Sequence, residues 1–311
     1  MCTVIRNEFR LCNFGLNFHH PEYFGTSQWR WPRPVYLIYR LVMAGYTLFA
    51  LIYALARVEA GSSEPSTEPV FNVMAYLTNW SYLVLTFHFF IAFVVAVVCY
   101  IHEKSTKTYP VAKSAPSKQA SVTAVDKRNN GMESHVKSTV EADIETNRGL
   151  TKSESKPPDA SETQDSKLTP WYSKISWILA NITSDTAIIV TSIYFGALYK
   201  PSSGITLSNL NVHGLNSVFI IIDNVVSARP VRILHVFHTW IYAAVYIIFS
   251  LIYWATDRAV IYKYVLDWST PGSTVGIMLG VVVLAFILQV GYFGLYQLTL
   301  FIYSKIYDKD N

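Results

Sequence analysis

The stretch NLNVHGLNSVFIIIDNVV, residues 209–226, decides the fold class because it is apolar enough to cross a membrane and yet carries regularly spaced polar residues. On a helix of about 3.6 residues per turn, spacings of 4, 3, 4, 3 and 4 put one set of residues on a single face. This polar stripe consists of Asn209, His213, Asn216, Ile220, Asp223 and Ser227. A central aspartate costs about 2.5 to 3.5 kcal/mol to insert as part of a lone membrane helix. We therefore expect the stripe to face other helices or a water-filled cavity.

The composition of the whole chain indicates a multi-pass membrane protein. Its 311 residues are 51% hydrophobic and 15% charged, with a mean hydropathy of +0.27. Soluble proteins carry about 25% charged residues. The charges also cluster between residues 101 and 170, which leaves long apolar runs elsewhere. Because helices that are apolar on all sides need an apolar surrounding such as a bilayer, a soluble all-α protein is excluded.

Six apolar runs predict an all-α fold, a bundle of six transmembrane helices at 35–56, 71–101, 171–199, 205–227, 231–255 and 275–303. Each run can cross a hydrocarbon core about 30 Å thick at 1.5 Å per residue. The chain thus divides into an N-terminal segment 1–34, a helix pair 35–101, a loop 102–170, a four-helix region 171–304 and a tail 305–311.

The distribution of basic residues predicts that both termini are cytoplasmic. Short loops rich in Lys and Arg remain on the cytoplasmic side of a membrane. The loop 102–170 has mixed charge and too few apolar residues to fold, so we expect a disordered tether. Its basic start can lie on anionic lipid, and the loop is open to a cytoplasmic partner that the sequence does not identify. The basic residues that fix this orientation are Lys104, Lys107, Lys113, Lys118, Arg229 and Arg232.

The second predicted helix carries polar residues that match the stripe in depth. Spacings of 3, 4 and 3 put one set of residues on a shared face: Thr78, Ser81, Leu85 and His88. Thr78 lies about 10 Å below the start of its predicted helix, at a depth similar to that of His213. His88 and Asp223 lie about 15 Å deeper, where we expect them to pair.

Thr78 and His213 have the chemistry of a nucleophile and its base. A hydroxyl becomes nucleophilic when a histidine takes its proton. A site of this kind predicts an intramembrane ester hydrolase that needs no cofactor. Asn79 or Asn216 is expected to orient the imidazole or bind an oxyanion, and Asp185 is a further orienting carboxylate.

The alternative is a non-enzymatic role for the same residues. Threonines in membrane helices commonly bond the carbonyl four residues earlier, here that of Met74. Buried His–Asn pairs also join helices without doing chemistry. This alternative predicts that Thr78 borders no cavity.

The histidines suggest two other functions. A channel or proton relay along His213, Asp223, His88 and His235 would follow the polar residues across the bilayer. The sequence lacks the broken helices and internal repeats typical of transporters. His235 and His238 have a spacing that suits a metal, but no clear third ligand lies near them in sequence, so no metal site is predicted. Nothing in the chain indicates a nucleic-acid partner.

Three stretches resemble the rolling stone family of animal membrane proteins: YLTNWSYLVL at 76–85, the run 212–254 that begins VHGLNSVFIIIDNVV, and GYFGLYQL at 291–298. The resemblance implies a plasma-membrane protein associated with myoblast fusion. The YLT and HG motifs are also similar to those of the androgen-induced hydrolases, which cleave fatty-acid esters of hydroxy fatty acids. That similarity implies catalysis by Thr78 and His213 on an acyl-ester lipid. The alternative is a non-enzymatic surface protein in cell–cell fusion or adhesion.

Overall fold

The computed structural model describes residues 6, 8–60, 74–106, 169–199, 201–258, 260–263 and 265–307. Most of the predicted tether 102–170 lies outside these residues. The described part of the chain contains six long helical segments and several short 3₁₀ helices, and the predicted all-α class is confirmed.

The helices follow the predicted order, with ends that differ by a few residues. They are α1 (Arg33–Ala60), α2 (Leu77–Thr106), α3 (Trp171–Ile193), α4, α5 (Val236–Asp257) and α6 (Pro271–Tyr307). A π-helical turn, Tyr194–Leu198, continues α3. Helix α4 comprises Leu207–Leu210, a π-helical turn Asn211–Leu215 and the regular part Asn216–Val226.

Five of the described helices are long and apolar enough to cross a membrane, and α4 is not among them. Helix α4 carries the polar stripe, which lowers its hydropathy. The chain is a multi-pass, all-α membrane protein. The count of six spans and the cytoplasmic position of both termini stay predictions.

Helix α3 is central because it packs against α2, α4, α5 and α6. Small residues on its buried face, such as Ala180, Ser184 and Ala187, allow close approach of the neighbouring helices. Large apolar side chains fill the space around it. The main core includes Tyr82, Leu85, Phe89, Ile220, Tyr292 and Phe293.

The described N-terminal segment folds against the end of the bundle where α4 stops. Two short 3₁₀ helices, Leu11–Phe14 and Pro21–Gly25, lie in this segment. The backbone N–H of Gln28 donates to the carbonyl of Val226 at 2.7 Å, and that of Ala228 donates to the carbonyl of Thr26 at 3.1 Å. The segment thereby satisfies backbone groups that the end of α4 would leave open.

Candidate functional site

A cavity of about 110 Å³ lies among α2, α3, α5, α6 and the loop between α5 and α6. Aliphatic side chains form most of its wall, among them Ile189, Val190, Ile247, Met278 and Val281. Hydroxyl-bearing residues on the wall are Thr78, Thr186, Thr239, Tyr194, Tyr242, Tyr246 and Tyr262. The cavity therefore suits an apolar ligand that carries few polar groups.

Thr78 borders this cavity from the first turn of α2. It is the second residue of the helix, so it lies nearer the helix start than the predicted depth of about 10 Å. Its hydroxyl lies beside the phenol of Tyr262, which borders the same cavity. The Met74 carbonyl, which the non-enzymatic alternative paired with Thr78, accepts a hydrogen bond from Trp80 Nε1 at 2.6 Å. Thr78 thus lies on the cavity wall with the phenol of Tyr262 beside it.

His213 lies in the π-helical turn of α4, beside the π-helical turn that ends α3. Its imidazole stacks on the ring of Tyr194, with ring centroids 3.6 Å apart and planes 2° apart. The Nδ1 atom of His213 is buried and has no hydrogen-bond partner among the described residues. Tyr194 also lines the cavity. Within the described part of the chain, no contact joins His213 to Thr78.

Asn216 holds the turn that carries His213 and does not bond the imidazole in this structure. Its Oδ1 accepts hydrogen bonds from Thr191 Oγ1 at 3.1 Å and from the backbone N–H of Ser217 at 2.7 Å. The Thr191 hydroxyl also bonds the carbonyl of His213. Asn79, the other predicted supporting amide, follows Thr78 on α2 and is half-buried.

Asp185 is fully buried in α3, next to a residue of the cavity wall. Its Oδ2 accepts a hydrogen bond from Thr239 Oγ1 at 2.7 Å, and Thr239 lines the cavity. Its Oδ1 has no hydrogen-bond partner among the residues described. The carboxyl group is therefore near the cavity but has no described contact with His213.

The second polar layer is centred on Asp223. His88 Nε2 lies 3.0 Å from Asp223 Oδ2, so the predicted contact is present. Arg40 forms an ion pair with the same carboxylate, and Arg229 lies 3.3 Å from it. The Ser227 hydroxyl donates a further hydrogen bond at 3.2 Å. Such dense pairing offsets the cost of burying the charges.

A third polar group surrounds His235. Asn181 Nδ2 donates to His235 Nδ1 at 3.2 Å, and His235 Nε2 donates to the Gly15 carbonyl at 3.4 Å. Of the four residues considered for a relay, the described hydrogen bonds join only His88 to Asp223. Where the structure is described, no group of three or more His, Cys, Asp or Glu residues could hold a metal ion.

Comparison with known proteins identifies the family. The sequence profile described as Protein rolling stone matches residues 143–308, more than half of the chain. The chain belongs to the rolling stone family. Protein rolling stone of Drosophila melanogaster is 27% identical over 308 residues, which cover 96% of this chain and 90% of that protein. No solved structure matches. The family resemblance is confirmed, and the similarity to the androgen-induced hydrolases stays a prediction.

Three site residues of this rolling stone family member were not found from its sequence. Arg40 pairs with Asp223, Tyr194 stacks on His213 and Tyr262 contacts Thr78. Arg40 offered a signal, because an ionisable residue inside a predicted span needs a partner. Tyrosines are common in membrane helices and their loops, so neither tyrosine was distinguishable by type or spacing.

Proposed function

We propose that this rolling stone family member is a plasma-membrane hydrolase of lipid esters, with Thr78 as the nucleophile and His213 as the base. One observation carries the proposal: the hydroxyl-bearing residue Thr78 borders an apolar cavity inside a membrane protein. A nucleophile in that position meets an ester whose acyl chain enters the cavity.

The size and lining of the cavity support an acyl chain as the bound group. An engineered cavity of about 150 Å³ holds benzene, so a cavity of about 110 Å³ has room for part of a chain. Each buried methylene contributes roughly 0.8 kcal/mol to binding. The rest of the lipid would remain in the bilayer, which supplies the substrate from the side.

The proposed reaction proceeds through an acyl-threonine. Thr78 Oγ attacks the ester carbonyl carbon as His213 takes the hydroxyl proton. The C–O bond to the alcohol then breaks, and the alcohol leaves with that proton. Water attacks the acyl-threonine with His213 again as base, which releases the fatty acid and restores Thr78. Asn216 keeps the turn of His213 in place, while Asn79 and Asp185 are the further supporting groups.

Tyr194 must move for this reaction to occur. Its ring covers one face of the imidazole and also lines the cavity. Both residues lie in π-helical turns, irregular segments that are frequent at functional sites. The structure would then correspond to a resting state in which the histidine is held away from the threonine.

Hydrolysis of p-nitrophenyl decanoate by the full chain in detergent tests the proposal. Thr78→Ala and His213→Ala should each abolish turnover, while Thr78→Ser should retain it. Thr186→Ala is the matched control, because Thr186 also lines the cavity but its hydroxyl donates to the Ile182 carbonyl at 2.7 Å. Wild-type turnover by folded Thr78→Ala would refute the proposal.

A second candidate is a non-enzymatic plasma-membrane protein of cell–cell fusion or adhesion. The observation that favours it is that Thr78 and His213 each contact a tyrosine and not each other. In that case the buried polar groups only join helices, and a cytoplasmic partner would bind through residues 102–170. It predicts no turnover by well-folded wild-type protein.

A further inference from the structure

We infer that Tyr262 is a catalytic residue of the proposed reaction, donating its phenolic hydrogen to the ester carbonyl oxygen while Thr78 attacks the carbonyl carbon. This inference rests on the proposed hydrolase function and adds a group that stabilises the oxyanion. Such a group is needed because negative charge develops on the carbonyl oxygen as the new C–O bond forms.

The position of Tyr262 is the first support. It lies in the loop between α5 and α6 and borders the same cavity as Thr78, whose hydroxyl lies beside its phenol. The backbone N–H groups of Leu77 and Thr78 also face its phenol. These N–H groups belong to the first turn of α2, where no intrahelical carbonyl is available to them.

Neighbouring aromatic residues hold the Tyr262 ring in place. The ring of Tyr76 packs edge-on against it, with centroids 5.6 Å apart and planes 70° apart. Tyr246 contacts the Tyr262 phenol from α5, and its own hydroxyl donates to the Ala75 carbonyl at 2.8 Å. A donor fixed in advance stabilises a developing charge without reorganising during the reaction.

The attack geometry brings the phenol to the correct atom. In the tetrahedral intermediate, the former carbonyl oxygen and Thr78 Oγ are bonded to the same carbon. A phenol beside Thr78 Oγ is therefore placed to donate to the oxyanion. The C=O electron pair moves onto that oxygen as the Oγ–C bond forms, and the threonine proton passes to His213. The Tyr262 proton remains on the phenol throughout.

The protonation state of Tyr262 suits a donor. Burial raises the pKa of the phenol above its ordinary value, and the neighbouring Thr78 hydroxyl lowers it by a smaller amount. A tyrosine with a raised pKa stays neutral near pH 7 and keeps its hydrogen. Tyr262 is thereby suited to donate to the oxyanion and unsuited to act as the base.

The test compares p-nitrophenyl decanoate turnover by full-length variants in detergent. Tyr262→Phe should lower kcat by about 10²-fold or more with little change in KM, since the lost hydrogen bond forms in the transition state. Tyr253→Phe is the control and should keep wild-type kcat, because it removes a phenol of α5 that lies outside the cavity wall. A folded Tyr262→Phe variant with wild-type kcat would overturn the inference.

The result also separates this inference from the proposed function. If Thr78→Ala is inactive and Tyr262→Phe is fully active, the role of Tyr262 is rejected and the hydrolase function stands. If Thr78→Ala is fully active, or if folded wild-type protein is inactive, both the role of Tyr262 and the hydrolase function are rejected. If Tyr262→Phe unfolds, Tyr262→His replaces it, since histidine keeps a ring N–H donor. Retention of kcat within about tenfold by Tyr262→His supports a donor role, and a loss as complete as that of Thr78→Ala contradicts it.

Discussion

The ring of Tyr194 lies flat on the imidazole of His213, with centroids 3.6 Å apart. Tyr194 begins the π-helical turn that ends α3, and His213 is the middle residue of the π-helical turn in α4. Thr191 fastens the two helices together beside this pair through its bond to Asn216. Since Tyr194 also lines the cavity, its ring links the cavity wall to the proposed base.

Removing the Tyr194 ring should speed the chemistry. A stacked aromatic pair contributes about 0.5 to 1.5 kcal/mol, so Tyr194→Ala should raise the rate at which a fluorophosphonate labels the protein by roughly 2- to 12-fold. Phe195→Ala, which removes the neighbouring ring of the same turn, is the control and should leave the rate unchanged. Slower labelling of folded Tyr194→Ala would show that the stack positions His213 instead of restraining it.

Filling the cavity should discriminate between long and short acyl chains. Ala243 lines the cavity, whereas the adjacent Ala244 is exposed and is not part of the wall. Ala243→Phe should raise KM for p-nitrophenyl decanoate and leave p-nitrophenyl acetate little affected. Ala244→Phe should behave as wild type with both esters. Equal effects of Ala243→Phe on the two esters would place acyl binding elsewhere.

The Arg40–Asp223 pair should be important for stability. Both side chains are almost fully buried, so Arg40→Ala leaves a buried carboxylate with fewer partners and should cost about 3 to 5 kcal/mol. The more exposed Arg33–Glu103 pair, 2.8 Å apart, is the comparison, and Arg33→Ala should cost about 1 kcal/mol or less. Chemical unfolding in detergent measures both. Equal unfolding free energies for the two variants would contradict the assigned role of Arg40.

The close approach of Gly25 to α2 should control docking of the N-terminal segment. A Cβ atom at Gly25 would lie 2.6 Å from Cys99 Cβ and Sγ, closer than side-chain atoms approach. Gly25→Ala should therefore displace the segment and speed maleimide modification of Cys99.

Gly15→Ala is the control for this docking test, because its Cβ would meet only the Cys12 carbonyl, at 3.6 Å. Both variants are made with Cys2 and Cys12 replaced by serine, so that Cys99 is the reacting thiol. Unchanged Cys99 reactivity in Gly25→Ala would show that the segment tolerates the added methyl group.

Helical periodicity predicted the part of the site that lies in regular helix. The spacing of Asn216, Ile220 and Asp223 holds because Asn216–Val226 is a regular α-helix, and all three side chains are buried. The same reasoning matched His88 with Asp223 in depth, and the two are in contact.

Periodicity failed where the backbone departs from the α-helix. The π-helical turn Asn211–Leu215 changes the register of His213 relative to the rest of α4, and its ring meets Tyr194. Tyr262 lies in a loop, where helical spacing does not apply and the sequence does not show which side chains come into contact. Arg40 lies near the end of a predicted span, where a long basic side chain commonly extends to the interface, so its burial against Asp223 was not foreseen.

Peptide mass mapping after fluorophosphonate treatment tests the central claim most directly. The reaction forms a bond from the nucleophile oxygen to phosphorus and releases fluoride, so the adduct marks the nucleophile. A single adduct on Thr78, lost from folded His213→Ala, is the predicted result. An adduct on another residue that persists in Thr78→Ala, or no adduct on well-folded wild-type protein, would contradict the hydrolase assignment.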